Sequence, residues 1–190
     1  MAETEAEDVQ PEERDPEAEA RRRLALGQIR QYPDPVLRMQ AREVESFDGD
    51  LRRLAERMTQ LMRDANGVGL AATQVGIIRR VFVFQPDSDE DPVALVNPAI
   101  ADPSDEKSVE DEGCLSLIGV QMPVERPISV RLVGRDLEGG EFSLELTEHA
   151  ARVVQHELDH LDGVLILDRT TDEARKAALA HLRPKAVLTN

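Results

Sequence analysis

The stretch from Thr147 to Gly163 constrains this chain more than any other. Thr147 is a natural N-cap, and a helix begun there runs to about Asp162 before Gly163 closes it. Inside it stands His156-Glu157-Leu158-Asp159-His160. Residues four apart on a helix lie about 40° apart around its axis, so both imidazoles reach one metal ion. Glu157 sits one position past the first histidine and can approach a metal-bound water without coordinating the metal. Such a site needs a third protein ligand, which the rest of the fold must bring to the helix.

The remaining pattern predicts what surrounds that helix. Arg30 to Pro35 is turn-rich, because its prolines fix φ and push their predecessors into extended geometry. Leu51, Leu54, Met58, Leu61, Met62 and Ala65 fall at helical spacing, with Asp48 or Asp50 as cap and Asn66-Gly67 as stop. Val81–Phe84 and Val93–Val96 are short continuous apolar runs, the pattern of strands buried on both faces. Ile128–Leu132 and Phe142–Leu146 alternate, and Asp136 to Gly140 between them reads as a hairpin turn. Val164–Leu167 is expected to add one short strand, and a last helix runs from about Asp172 to Leu182, ahead of Pro184. A helix, then strands, then helices is the order of an α+β fold. The expectation is of largely antiparallel sheets packed around a central metal-binding helix, with a C-terminal helix.

Length and charge narrow the function classes. The chain has 190 residues, one domain's worth. Its 38 acidic and 23 basic residues give a net charge of −15. That balance argues against sequence-independent nucleic-acid binding, DNA included, which depends on Lys and Arg displacing counterions. Residues 1–20 hold nine acids and one Arg, a net of −8, which leaves −7 for the other 170. So charged a segment buries too little apolar surface to offset its ordering entropy. Residues 1–26 are therefore expected to form a disordered acidic tail, with Arg21-Arg22-Arg23 folding back on the acids, and residues 27–190 the catalytic domain. The sole cysteine, Cys114, permits no intrachain disulfide and suits a reducing compartment. No apolar run approaches the roughly 18 residues of a membrane helix, and Met1–Glu5 has neither signal- nor transit-peptide character. These features predict a cytoplasmic location without membrane partners.

Two further segments bear on the chemistry. Downstream of His160 the only histidine is His181, whereas Cys114 stands upstream within Glu112-Gly113-Cys114-Leu115-Ser116. A lone cysteine is either a small buried hydrophobe or a ligand. Gly113, Gly119 and the flanking acid predict a loop here, which favours the ligand. His149 lies seven residues before His156, a rise of about 10.5 Å and too far to share the metal. Gly67 to Gln74 reads as a small-residue loop whose backbone something approaches closely. It lacks the lysine of a phosphate loop. Gln74 is an amide suited to an oxyanion or to capping a neighbouring backbone group.

In this order the three segments resemble the signature set of the peptide deformylases: G-x-G-L-A-A-x-Q at Gly67–Gln74, E-G-C-L-S at Glu112–Ser116 and Q-H-E-x-D-H-L at Gln155–Leu161. The Pro33-Asp34-Pro35-Val36-Leu37-Arg38 stretch and Asn97-Pro98 are similar too, so the likeness covers roughly residues 27 to 183. The resemblance implies Cys114, His156 and His160 as ligands of one divalent metal ion. Fe²⁺ is the usual ion in the family, and Ni²⁺, Co²⁺ or Zn²⁺ suit the same donors. It implies Glu157 as general acid and base, and the Gln74 amide with the Leu115 backbone N–H as the oxyanion hole. Val68, Gly69 and Gly113 would hold an extended substrate. Asp159 is expected to orient the site through an ion pair with Arg126. The implied reaction removes the N-formyl group from the N-terminal formyl-methionine of newly made proteins, releasing formate. N-formyl-methionyl nascent peptides are then the partners, with transient ribosome proximity supported only by Arg175, Lys176, Arg183 and Lys185. A specialised formylated substrate and a zincin-type metallopeptidase are the alternatives. One departure stands out: Leu117-Ile118-Gly119 follows the cysteine segment where the family commonly has an aliphatic residue and proline.

Overall fold

The structure is a computed structural model that describes residues 15–87 and 89–183. Its elements in chain order are α1 (Pro16–Leu26), α2 (Gly49–Asp64), β1 (Gly69–Ala71), β2 (Val81–Phe84), β3 (Val93–Ala101), β4 (Lys107–Cys114), β5 (Leu117–Pro127), β6 (Ser129–Arg135), β7 (Glu141–Thr147), α3 (Glu148–Leu161) and α4 (Asp172–Leu182). Five strands form one antiparallel sheet in the order β1-β2-β3-β6-β7, while β4 and β5 pair as a separate hairpin. The class is α+β, as the sequence predicts.

From β1 to β3 the sheet is buried on both faces and its residues alternate between two cores, whereas β7 leaves one face exposed. Val81, Val83, Val96 and Leu70 pack against Met58, Leu61 and Met62 of α2. Phe82, Phe84, Leu95, Val130 and Leu132 pack against Ala151, Val154 and Leu161 of α3. The α2 stripe is the one read from the sequence, and Asp48 is its cap, accepting from the backbone N–H of Asp50 and Leu51. A third core lies under the hairpin, where Leu117, Val120, Met122 and Val124 of β5 meet Ala178 of α4 and Leu165–Leu167. Helix α3 thus lies between the sheet and the hairpin, and both contribute to the site on its surface.

Four expectations need correction. The acidic tail expected over residues 1–26 is helical from Pro16 to Leu26; residues 1–14 lie outside the described residues. Asp15 caps this helix, and Ala25 and Ile29 join the core beside α2, which supplies the burial that composition did not promise. Gly67–Gln74 is not a continuous loop, because Gly69–Ala71 pairs with Phe82–Phe84 and Ala72–Val75 forms a 3₁₀ turn. Cys114 closes a strand rather than sitting in a loop. Val164–Leu167 is no strand but runs into a 3₁₀ turn at Ile166–Asp168, with the Asp168 carboxylate accepting from the Leu165 N–H. The last helix, Asp172–Leu182, has the predicted bounds.

Candidate active site

From Ala151 onward α3 is buried on nearly every side, polar residues included: Arg152, Glu157, Asp159 and His160 all lie below the surface. Buried polar groups require partners, and the hairpin supplies most of them. The Cys114 Sγ lies 3.2 Å from His160 Nε2, which lies 3.2 Å from His156 Nε2. The three donor atoms fall within 4.8 Å of one another. One soft thiolate and two imidazoles converging on a point fit a transition-metal ion such as Fe²⁺, Zn²⁺, Ni²⁺ or Co²⁺.

Glu112 governs the histidine pair. Its carboxylate accepts from His156 Nδ1 at 3.0 Å, from Arg126 at 2.9 and 3.0 Å, and from Arg152 Nη1 at 2.8 Å. Burial alone would raise its pKa, but the hydrogen bonds from His156 and Arg126 hold it far below the usual carboxylate range. An ionised Glu112 accepting at His156 Nδ1 turns the Nε2 lone pair toward Cys114 and His160. Arg126 also reaches Asp159 at 2.6 Å, the expected pair, and Arg169 closes on the other Asp159 oxygen at 2.6 Å. Sequence reasoning missed Arg152 and Arg169, and with them Glu112 as the partner of a histidine. One signal was available: Arg152 stands one helical turn before His156, a charged residue on the face that must be buried.

Glu157 has a different environment. Burial pushes its pKa up to about 7, and its Oε2 lacks any hydrogen-bond partner among the described residues. It packs against Gly69, where an added Cβ would overlap the carboxylate. A glycine is therefore required there for close approach, not for backbone conformation. Gln74 is pinned from behind: its Oε1 accepts from the Ala71 N–H at 2.8 Å, and its Nε2 donates toward Ser116 Oγ at 3.2 Å and Cys114 Sγ at 3.8 Å.

A cavity of about 670 Å³ opens over these groups. Val68, Gly69, Gln74, Gly113, Cys114, Leu115, His156 and Glu157 all line it, and His160 lies behind them, 2% exposed. The nine residues singled out from the sequence therefore meet at one place. His149 lines the rim outside the metal-ligating cluster, and His181 instead packs against Gly119. A buried acid beside three convergent metal donors, with an amide and backbone strand alongside, is equipped for metal-assisted hydrolysis of a carbonyl compound.

Comparison with known proteins agrees with this chemistry. A family model described as polypeptide deformylase matches residues 26–176. The peptide deformylase of Clostridium botulinum is 48% identical over 148 residues, covering 78% of this chain and 99% of its own. That of Acidothermus cellulolyticus is 46% identical over 160 residues, covering 84% and 87%. The crystal structure of Arabidopsis thaliana peptide deformylase 1B with an inhibitor superposes with a TM-score of 0.77 at 41% identity, covering 82% of this chain and 89% of that one. The Thermotoga maritima peptide deformylase gives a TM-score of 0.72 at 45% identity, covering 75% and 96%.

Proposed function

This chain belongs to the polypeptide deformylase family, and on that premise we propose how its residues divide the work of removing the formyl group from N-terminal formyl-methionine. The enzyme is a metal-dependent hydrolase, and formate and a peptide with a free α-amine are its products. The observation that carries the assignment of roles is the meeting of Cys114, His156 and His160 donors within 4.8 Å beside the buried Glu157.

Cys114, His156 and His160 would hold one divalent ion, which when bound polarises a carbonyl and lowers the pKa of water. Glu157, with its pKa near 7, accepts a proton from the attacking water and returns it to the departing nitrogen. The Gln74 amide, fixed by Ala71, donates with the Leu115 backbone N–H to the oxygen on which negative charge develops. Val68 and Gly69 on one side and Gly113 on the other hold the peptide extended, in the manner of an added strand. Glu112 and Arg126 orient the histidine side of the site without touching substrate. The zincin-type reading leaves Cys114 and Gln74 without roles and is set aside.

Ferrous iron is the proposed native ion, and residues 27–190 the catalytic unit. A thiolate beside Fe²⁺ oxidises readily, so activity should decay in air over hours and persist anaerobically. A cytoplasmic location and transient proximity to the ribosome follow from the substrate. Among the described residues no helix is long and apolar enough to cross a membrane.

The test is hydrolysis of formyl-Met-Ala against acetyl-Met-Ala by anaerobically purified, metal-loaded enzyme. Rapid formate release with the acetyl peptide untouched is expected. No release from a fully loaded sample would redirect the site to a specialised formylated substrate, with residues 117–119 at the start of β5 as the place to look.

A further inference from the structure

Helix α1 lies almost wholly ahead of the residues that match the family, yet its Arg22 and Leu26 line the same cavity as Cys114 and Glu157. We propose that α1 is a specificity wall of the substrate groove, and that Arg22 selects an acidic side chain among the residues that follow formyl-methionine. The inference rests on the deformylase reading and names the substrate class within it.

The placement of α1 comes from burial. Ala25 and Ile29 enter the core beside Met58, Leu61 and Met62, and Leu26 packs partly against it. This docking turns Arg22 toward the end of α2, where its Nε donates to the Ala65 carbonyl at 3.3 Å. Ala65 caps α2 and leads through Asn66 and Gly67 into Val68 and Gly69, the backbone proposed to carry the substrate. The guanidinium is therefore tethered at the start of the groove wall.

Its charge is left open. Arg21 beside it faces Asp15 and Glu17, whereas Arg22 has no carboxylate partner among the described residues. Elsewhere in the cavity Arg152 is neutralised by Glu110 and Glu112. The exposed Glu110 and Asp111 give the β4 rim the opposite sign. A peptide between the two walls thus meets a cation on one side and carboxylates on the other. The groove also continues along α1, into an adjoining cavity of about 440 Å³ lined by Glu19, Arg22, Arg23, Leu26, Gly27 and Ile118, two cations against one acid. Ile118, 46% exposed, belongs to the Leu117-Ile118-Gly119 segment that departs from the family pattern. The departure and α1 therefore face the same space. In a chain of net charge −15, an acidic peptide would be repelled on approach without such a local cation.

The experiment measures kcat/KM for formyl-Met tetrapeptide amides carrying one Asp or one Lys at the second, third or fourth position. Amidation removes the terminal carboxylate, so only the side chain is read. At low salt the wild-type enzyme should prefer Asp over Lys by about fivefold at one position, the factor an exposed ion pair of about 1 kcal/mol gives. The preference should shrink in 0.5 M salt. Arg22→Glu should reverse it, while Arg22→Lys, which keeps the charge but loses the Nε bond to Ala65, should retain it. Taking the ratio for each variant cancels any folding loss common to both peptides. An unchanged ratio in Arg22→Glu, or a loss of preference equal in the Lys and Glu variants, overturns the role of Arg22. Formyl-Met-Ala-Ala-Ala amide reports separately on the underlying reading: if the wild type leaves it and every charged peptide uncleaved, the deformylase assignment fails and this inference falls with it.

Discussion

The five-stranded sheet and the β4–β5 hairpin hold α3 from two sides by opposite means. On the sheet side the contact is apolar, with Phe82, Phe84 and Leu95 fully buried against Val154 and Leu161. On the hairpin side Glu112 and Arg126 point inward, bonded to each other, and meet Arg152 and Asp159 of the helix at 2.8 and 2.6 Å. Apolar burial is tolerant of direction, so it fixes where the helix lies. A buried ionic network is directional and costly when incomplete, so it fixes how the imidazoles point. The same hairpin ends in Cys114, so the element that orients His156 also delivers the thiolate.

The comparison can be broken in order of expected effect. Glu157 belongs to neither wall's support, and Glu157→Ala should lower kcat by about 10²–10⁴-fold while metal content stays at the wild-type level. Metal lost in parallel with activity would count against its proton-transfer role. Next, one residue is removed from each wall. Phe82→Ala should cost about 3–5 kcal/mol of stability through a core cavity, with metal affinity unchanged in the folded fraction. Arg126→Leu should cost about 3 kcal/mol, since Arg152 and Arg169 remain as partners, and should also weaken metal binding by about 10–100-fold. Urea unfolding alongside metal titration separates the two, and equal metal affinities would erase the distinction drawn between the walls.

A pH series on the metal-free protein sharpens it further. Glu112 titrates far below its ordinary value when folded, so its contribution is present above about pH 4.5 and is lost as pH falls below that value. Glu157 has the opposite sign. Its folded pKa near 7 means the folded state holds a proton the unfolded chain has released, so stability declines as pH rises from about 4.5 through 7. Glu157→Gln should remove the part of the decline that begins near pH 4.5 and leave the acid-side loss intact, while His156, also raised in the folded state, keeps its own decline above about pH 6.5; a decline of the same size in the variant would refute the assignment. The smallest effect belongs to the start of β5. Gly119 has φ +83°, and an added Cβ would meet His181 Nε2 at 2.9 Å. Gly119→Ala should cost about 1–2 kcal/mol, a fall in Tm of a few degrees by calorimetry. An unchanged Tm would mean that α4 does not brace this part of β5.

The same contrast explains which parts were legible in advance. Val81–Phe84 announces a buried strand because every residue in it is apolar, and α2 announces itself by its stripe and its Asp48 cap. β4 hides because its pattern is inverted: Val109 points out, 62% exposed, while Glu112 points in. β5 does alternate from Val120 to Val124, but its inward series ends on a charged residue, Arg126, and it is interrupted by Pro123. Helix α1 hides for a similar reason, since only Ala25 of its eleven residues is buried.

The sequence by itself determined the chemistry of this protein. Spacing on one helix pairs His156 with His160, and the residue types of Cys114, Glu157 and Gln74 limit what they can do. Their short motifs survive any uncertainty about the fold, because ligand chemistry and local helix geometry depend on few residues. Tertiary structure alone decided which acid orients His156, which cations neutralise that acid, and that α1 borders the groove. Those relations join residues about 14 to 44 positions apart, from Glu112–Arg126 to Glu112–His156 and Arg22–Ala65. They exist only because packing brings unlike charges together where water is excluded, and no local pattern in the chain encodes that meeting.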